Sequence, residues 1–215
     1  RRREIVVVRR HVGQRIFVLV DHEALLAGEV HAGWAEDIVE RCLTVADVAA
    51  RVDGELVDLS FVPTTDGKAE PVLPGDPDGL HVLRHSAAHV MAQAVCDLWP
   101  GTRYAIGPPI DDGFYYDLDL PGQTSETDLP KIEDRMREIV AADQPFVREE
   151  LPRAEALERF ADQPYKREII ESLEVGEVQA GDTVTVYRND GWEDLCLGPH
   201  VPSTGRLTAF QLMKV

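Results

Sequence analysis

The chain has 215 residues, 44% hydrophobic and 28% charged, a globular composition with room for one large or two small domains. Its 22 basic and 39 acidic residues give a net charge of −17, which excludes a general nucleic-acid binder with a basic footprint. No apolar run approaches the roughly 18–20 residues of a membrane span, and the basic start Arg1–Arg3 lacks a following small-residue cleavage site.

The first elements are β. Residues 4–8 and 15–20 are β-branched runs joined at His11–Gln14, which predicts a hairpin. Residues 35–50 carry Ile38, Val39, Cys42, Leu43, Val45 and Val48 at helical spacing, with Thr44 as a candidate break. Residues 51–63 follow, with Asp53-Gly54 as a tight turn. Residues 71–79 are dense in turn formers and read as a linker.

The strongest helix is expected over 82–98. Ala87, Val90, Met91, Ala94, Val95 and Leu98 form one apolar face, and Pro100-Gly101 ends it. Tyr104–Ile110 reads as strand and turn, and Asp111-Asp112-Gly113 as a second turn. Phe114, Tyr116, Leu118 and Leu120 alternate as in a half-buried strand. A helix is expected from Leu129, capped by Thr127, with shorter helices over 153–161 and 165–173 and a strand from Thr183 to Tyr187. Helices and strands do not alternate regularly, so an antiparallel α+β architecture is expected.

Chemistry concentrates in two pairs. His85 and His89, at i and i+4, project from one helix face. Cys196-Leu-Gly-Pro-His200 offers a thiol and a third imidazole at the same interval. Three histidines and a cysteine suffice in type and number for tetrahedral zinc. The same spacing also suits two histidines on a half-exposed face, and the pairs are more than a hundred residues apart, so spacing alone does not assemble a site. Cys96 lies about 20° around the helix from His85 but about 16 Å along its axis, so one ion cannot hold both. It is expected to be a packing residue. Lys166, Tyr115, Tyr116 and Asp194 are weaker candidates taken singly. The chain carries no phosphate-binding loop, nucleophile elbow or dinucleotide fingerprint, so an ATP-dependent reaction has no visible seat. Three widely spaced cysteines argue against a disulfide scaffold and point to a reducing cytoplasm.

Four strings, residues 84–89, 106–117, 164–166 and 194–205, resemble the editing domain of bacterial threonyl-tRNA synthetases, in order and at compatible spacing. Residues 51–80 look like the end of that family's TGS domain, a β-grasp module, and residues 1–50 resemble it loosely. The resemblance implies a TGS-like domain over 1–78 and an editing domain over 79–215 that hydrolyses Ser-tRNA(Thr) in the cytoplasm. It implies tRNA(Thr) as partner, through its aminoacylated acceptor end, with the synthetase core and anticodon-binding domain outside this chain. The implied catalytic residues are His85, His89, Lys166, Cys196 and His200. Gly107, Tyr116 and Asp194 are implied at the substrate, with Asp194 on the serine ammonium. Related alanyl-type editing proteins use the same His and Cys positions for zinc, whereas the threonyl branch implies metal-free hydrolysis. His85, His89, Cys196 and His200 therefore permit a zinc site without requiring one. One departure is Leu197, where the family commonly has Arg. A stand-alone alanyl-type trans-editing protein and a catalytically silent tRNA-binding or regulatory module remain as alternatives.

Overall fold

The computed structural model describes residues 4–9, 15–20, 29–30, 47–172 and 182–214. Strands β1 (Glu4–Arg9) and β2 (Arg15–Val20) pair antiparallel from Glu4↔Val20 to Arg9↔Arg15, the pairing expected of a hairpin. The His11–Gln14 connection lies outside the described residues, as do residues 35–46 of the expected helix.

The end of that expected helix is corrected. Ala49 and Ala50 open strand β4 (Ala49–Val52), not a helix. Their backbone groups are taken up on both sides by β5 (Glu55–Val57) and β6 (Gly67–Val72), and β3 (Glu29–Val30) completes a sheet of order β3-β6-β4-β5. Cross-strand pairing overrides a helical stripe of small apolar residues. Asp53 and Gly54 form the expected turn, with φ of 50° and 89°, the left-handed pair a two-residue hairpin loop requires. The expected linker is shorter than 71–79, because β6 runs to Val72 and the next helix starts at Pro77. Only 73–76 connect them, closed by Leu73 N–H donating to Asp76 Oδ2 at 2.9 Å and Asp76 N–H to the Leu73 carbonyl at 3.0 Å.

Helix α1 (Pro77–Leu98) is the axis of the molecule. It begins five residues before the expected position because Pro77 is well suited to a first helical turn. Val82, Ala87, Val90, Ala94 and Val95 enter the main core with Ile132, Met136 and Ile139 of α2 (Leu129–Ala141). Val48, Ala49 and Val72 join the same core, so the N-terminal sheet and α1 share one apolar interior. Ala88 and Ala92 face a second cluster of Tyr104, Tyr116 and Trp192. Small residues on that side let these large rings approach the helix.

The expected continuous strand over 114–120 is two short ones. β7 (Arg103–Tyr104) pairs with β10 (Leu118–Asp119), and β8 (Pro109–Ile110) with β9 (Gly113–Phe114). Tyr115–Asp117 bridge them, and Asp117 exchanges backbone hydrogen bonds with Ala105 and Ile106. Thr127 is not the cap of α2, a second correction. Residues 126–128 form a 3-10 turn, and Ser125 and Asp128 close a capping box around it.

The last layer is a sheet of β11 (Val147–Pro152), β12 (Thr183–Asn189) and β13 (Trp192–Leu195), all antiparallel. Helices α3 (Arg153–Arg159) and α4 (Pro164–Ser172) cover it through Ala156, Phe160 and Ile170 on Leu151, Val184 and Val186. Helices packed beside antiparallel sheets make the architecture α+β. Among the described residues, no helix is long and apolar enough to cross a membrane.

Candidate active site

The middle of α1 faces the loop that leaves β13. His85 and His89 come from the helix, Cys196 and His200 from the loop, and one ligand atom from each lies within 4.8 Å of all the others. Cys196 Sγ is 3.1 Å from His85 Nε2 and 3.4 Å from His200 Nε2. Folding thus joins the two sequence pairs.

The loop is tightly held. Gly198 has φ of 72°, its bond to Pro199 is cis, and a Cβ on it would lie 2.0 Å from the Tyr187 hydroxyl. Only glycine fits there. The Gly198 N–H donates to Cys196 Sγ at 3.3 Å. The His200 ring stacks on Phe146 at 4.8 Å between centroids and takes the edge of Tyr187 at 4.6 Å.

Ser86 fixes the His200 tautomer. Its hydroxyl proton goes to the Val82 carbonyl at 2.8 Å, and its oxygen accepts from Val201 N–H at 3.1 Å. With that single proton committed, the 3.1 Å contact to His200 Nδ1 requires Nδ1–H as donor. His200 Nε2 therefore presents a lone pair toward Cys196.

A second buried cluster adjoins the first. Lys166 Nζ is 2.5 Å from Asp194 Oδ1, and His89 Nε2 is 3.5 Å from Asp194 Oδ2. The Tyr116 hydroxyl donates to Asp194 Oδ2, and Lys166 Nζ to the Ala105 carbonyl. Gly107 lies against this tyrosine, and a Cβ on it would be 2.1 Å from Tyr116 Cδ2. Seven of the eight residues singled out from the sequence thus make direct polar contacts with one another, in two adjoining groups, with Gly107 beside Tyr116. Asp194 already serves lysine, tyrosine and histidine, so an added ammonium needs one of them to give way. Cys96 packs with the second aromatic cluster, and burial pushes its thiol up to about 11. Tyr115 is exposed, and Leu197 is 80% exposed at the rim of the loop.

Burial sets the charge state. It lowers His85 to about 4, with His81 adding to the effect. It also holds His89 and His200 well below the usual imidazole range, with neighbouring imidazoles reinforcing it. The Cys196 thiol is pushed up to about 12, by burial first and by Asp194 second. Burial raises Asp194 even though Lys166 and Tyr116 oppose it. The centre is therefore three neutral imidazoles and a thiol at neutral pH.

Such a set offers lone pairs to a water or a cation. His89 Nδ1 is buried with no hydrogen-bond partner among the described residues. Donor type, number and compactness fit a tetrahedral zinc centre held by His85, His89, Cys196 and His200.

A family profile described as "Threonyl and Alanyl tRNA synthetase second additional domain" matches residues 184–215, the stretch with Asp194, Cys196 and His200. The threonine–tRNA ligase of Rubrobacter xylanophilus is 48% identical over 183 residues, which cover 84% of this chain and 28% of that protein. The chain belongs with the threonyl-tRNA synthetases, matching an N-terminal part of them. The threonine–tRNA ligase of Desulfatibacillum aliphaticivorans is 44% identical over 198 residues, 92% of this chain and 29% of its own length. That of Hyphomonas neptunium is 47% identical over 180 residues, with 82% and 27% covered. The chain thus spans less than a third of the length of these synthetases.

Sequence reasoning missed several supporting residues: Asp58, Ser86, Phe146, Tyr187 and Trp192. Ser86 alone carried a signal, since it stands between the two histidines. Nothing in the sequence marks Asp58, which comes from the N-terminal sheet yet accepts from the His200 backbone N–H at 2.7 Å.

Proposed function

We propose that this chain is the editing part of a threonyl-tRNA synthetase and hydrolyses the ester of Ser-tRNA(Thr). The observation that carries the reading is the convergence of His85, His89, Cys196 and His200 on one point, beside the buried Lys166–Asp194–Tyr116 cluster. The fold would divide into a TGS-like β-grasp domain over 1–78 and an editing domain over 79–215. The working compartment is the cytoplasm, and the partner is tRNA(Thr) held by its aminoacylated acceptor end. The rest of the synthetase would supply most of the tRNA contact, which answers the net charge of −17.

The chemistry asked of the site is modest. Serine differs from threonine by one methyl, worth about 1–3 kcal/mol of discrimination, so a second, hydrolytic site is needed to clear serine from the tRNA. A water attacks the ester carbonyl carbon, the acyl–oxygen bond breaks, and the ribose hydroxyl leaves with a proton. A neutral imidazole, with His200 Nε2 as the one whose lone pair is fixed, accepts the water's proton and returns it to the ribose oxygen. The Lys166 ammonium, neutralised by Asp194, lets Tyr116 and the Ala105–Gly107 backbone keep their places around the acyl group. Gly107 lets backbone approach the amino acid closely, which disfavours an added methyl. The reading requires no metal. If zinc occupies the four donors, it supplies a Lewis acid that polarises carbonyl oxygen or water.

Single-turnover deacylation of Ser-tRNA(Thr) and Thr-tRNA(Thr), with and without a chelator, tests this. Loss of serine alone, unaffected by chelator, is the expected result. Binding of both tRNAs without hydrolysis of either would instead establish a silent tRNA-binding module. Hydrolysis of mischarged alanine-accepting tRNA in preference to Ser-tRNA(Thr) would establish the alanyl-type alternative.

A further inference from the structure

The described core does not stop at the boundary between the two proposed domains, and neither does the site. Asp58 follows β5 in the N-terminal sheet, 142 residues before His200. Its Oδ1 accepts from the His200 backbone N–H at 2.7 Å, and its Oδ2 accepts from the Tyr187 hydroxyl. Both oxygens act as acceptors, as an ionised carboxylate does.

These two donors are the ones that determine where His200 stands. The first is the backbone of His200 itself. The second belongs to the ring whose edge contacts the His200 imidazole and whose hydroxyl fills the place a side chain at Gly198 would take. Ser86 orients the imidazole about its own axis, but it does so from α1, and its hydrogen bonds to the loop are those with His200 Nδ1 and the Val201 N–H. Among the described residues, Asp58 is the one side chain that ties the His200 backbone and Tyr187 together.

We infer that Asp58 is a positioning residue of the site, supplied by the N-terminal sheet, which sets the place of the Cys196–His200 loop by holding His200 N–H and Tyr187 together. It touches no substrate and acts through His200. The inference rests on the hydrolytic reading for its activity readout, and a second readout is independent of that reading.

The test compares Asp58→Ala, Asp58→Asn and Asp58→Glu in the full 215-residue chain. Asparagine is isosteric, so its oxygen still accepts from His200 N–H while the Tyr187 hydroxyl turns to accept from its amide. Glutamate keeps the charge but moves the oxygens by roughly 1.5 Å. With Ser-tRNA(Thr) in single turnover, Asp58→Ala and Asp58→Glu should lower the maximal rate about 10–100-fold. The protein concentration for half-maximal rate should stay within about twofold, because binding is not what the carboxylate controls. Asp58→Asn should retain the rate within about threefold, since it preserves the acceptor geometry. In protein labelled with 15N-histidine, His200 should show one Nδ1–H tautomer in wild type and Asp58→Asn, and altered or mixed signals in the other two.

Should Asp58→Ala fail to fold, Asp58→Glu carries the comparison. A folded Asp58→Glu or Asp58→Ala protein with wild-type rate and unchanged His200 signals overturns the inference. So does an impaired Asp58→Asn protein beside an Asp58→Glu protein that keeps the wild-type rate, which would make charge, not position, the requirement. If wild type does not deacylate either tRNA, the hydrolytic reading falls, and the His200 signals alone decide whether Asp58 positions the loop.

Discussion

Lys166 Nζ sits 2.5 Å from Asp194 Oδ1 with both side chains buried, and this pair joins α4 to the end of β13. The ammonium also donates to the Ala105 carbonyl, and the carboxylate accepts from Tyr116. Three segments far apart in sequence, carrying Ala105 and Tyr116, Lys166, and Asp194, therefore meet at one ion pair. Removing one member leaves the other charge buried without its counter-ion, which costs about 3–5 kcal/mol. Lys166→Met and Asp194→Asn should each lose stability on that scale in urea unfolding. The double variant should lose well under the sum, because no lone charge remains. Additive losses would mean that the two groups do not depend on one another.

Gly107 offers a sharper probe of the same region. A methyl there would sit 2.1 Å from Tyr116 Cδ2, and the tyrosine is pinned by its hydroxyl to Asp194. Either the ring or the loop must move. Gly107→Ala is expected to cost about 1–3 kcal/mol, the usual range for overpacking, and to change the Tyr116 ring signals in an NMR spectrum. A variant with wild-type stability and unmoved Tyr116 signals would show that the loop has slack.

The sequence carried the helix, the four donors and their chemistry because these are local patterns: a 3.6-residue apolar stripe, two i, i+4 pairs and turn residues with fixed backbone demands. It did not carry the strands β11 and β13. Val147–Pro152 carries Arg148, Glu149 and Glu150 in a row; Arg148 pairs with Glu150, and Glu149 is met by Arg159 and Arg188 from elsewhere. Such a strand reads as solvated until its partners are known. Lys166 illustrates the same limit, since it looks like a surface lysine at a helix start and is buried only because Asp194 awaits it. Ala49–Ala50 fails differently, because small residues suit helix and sheet alike and neighbouring strands decide.

The buried imidazoles have a signature in acid. His85 titrates at about 4 in the folded chain against 6.5 as its ordinary value. Between those values the unfolded chain holds a proton that the folded chain refuses. Stability from this group is therefore complete above pH 6.5 and is lost as pH falls toward 4. Asp58 and Asp194, both raised by burial, act in the opposite direction. A difference measurement cancels them. With chelator present, wild type should lose stability across this window more steeply than His85→Asn. The difference should approach one proton, or about 1.4 kcal/mol per pH unit. Parallel curves would mean that His85 is readily protonated in the folded chain.

Leu197 stands 80% exposed beside Cys196, at the rim of the site. A side chain this exposed buries little apolar area, so replacing it should change stability by less than about 0.5 kcal/mol. Under the proposed function this rim faces the acceptor end of a tRNA, on a protein whose net charge is −17. Leu197→Arg would place a cation where phosphate passes, and one added phosphate contact steepens the salt dependence of binding by about 1 in the log–log slope. Affinity for an aminoacylated acceptor-stem RNA should therefore rise at low salt and converge on wild type at high salt, with the deacylation rate at saturation unchanged. If affinity and slope both stay as in wild type, the Cys196–His200 loop does not face the nucleic-acid backbone, and the acceptor end must approach α1 from its other side.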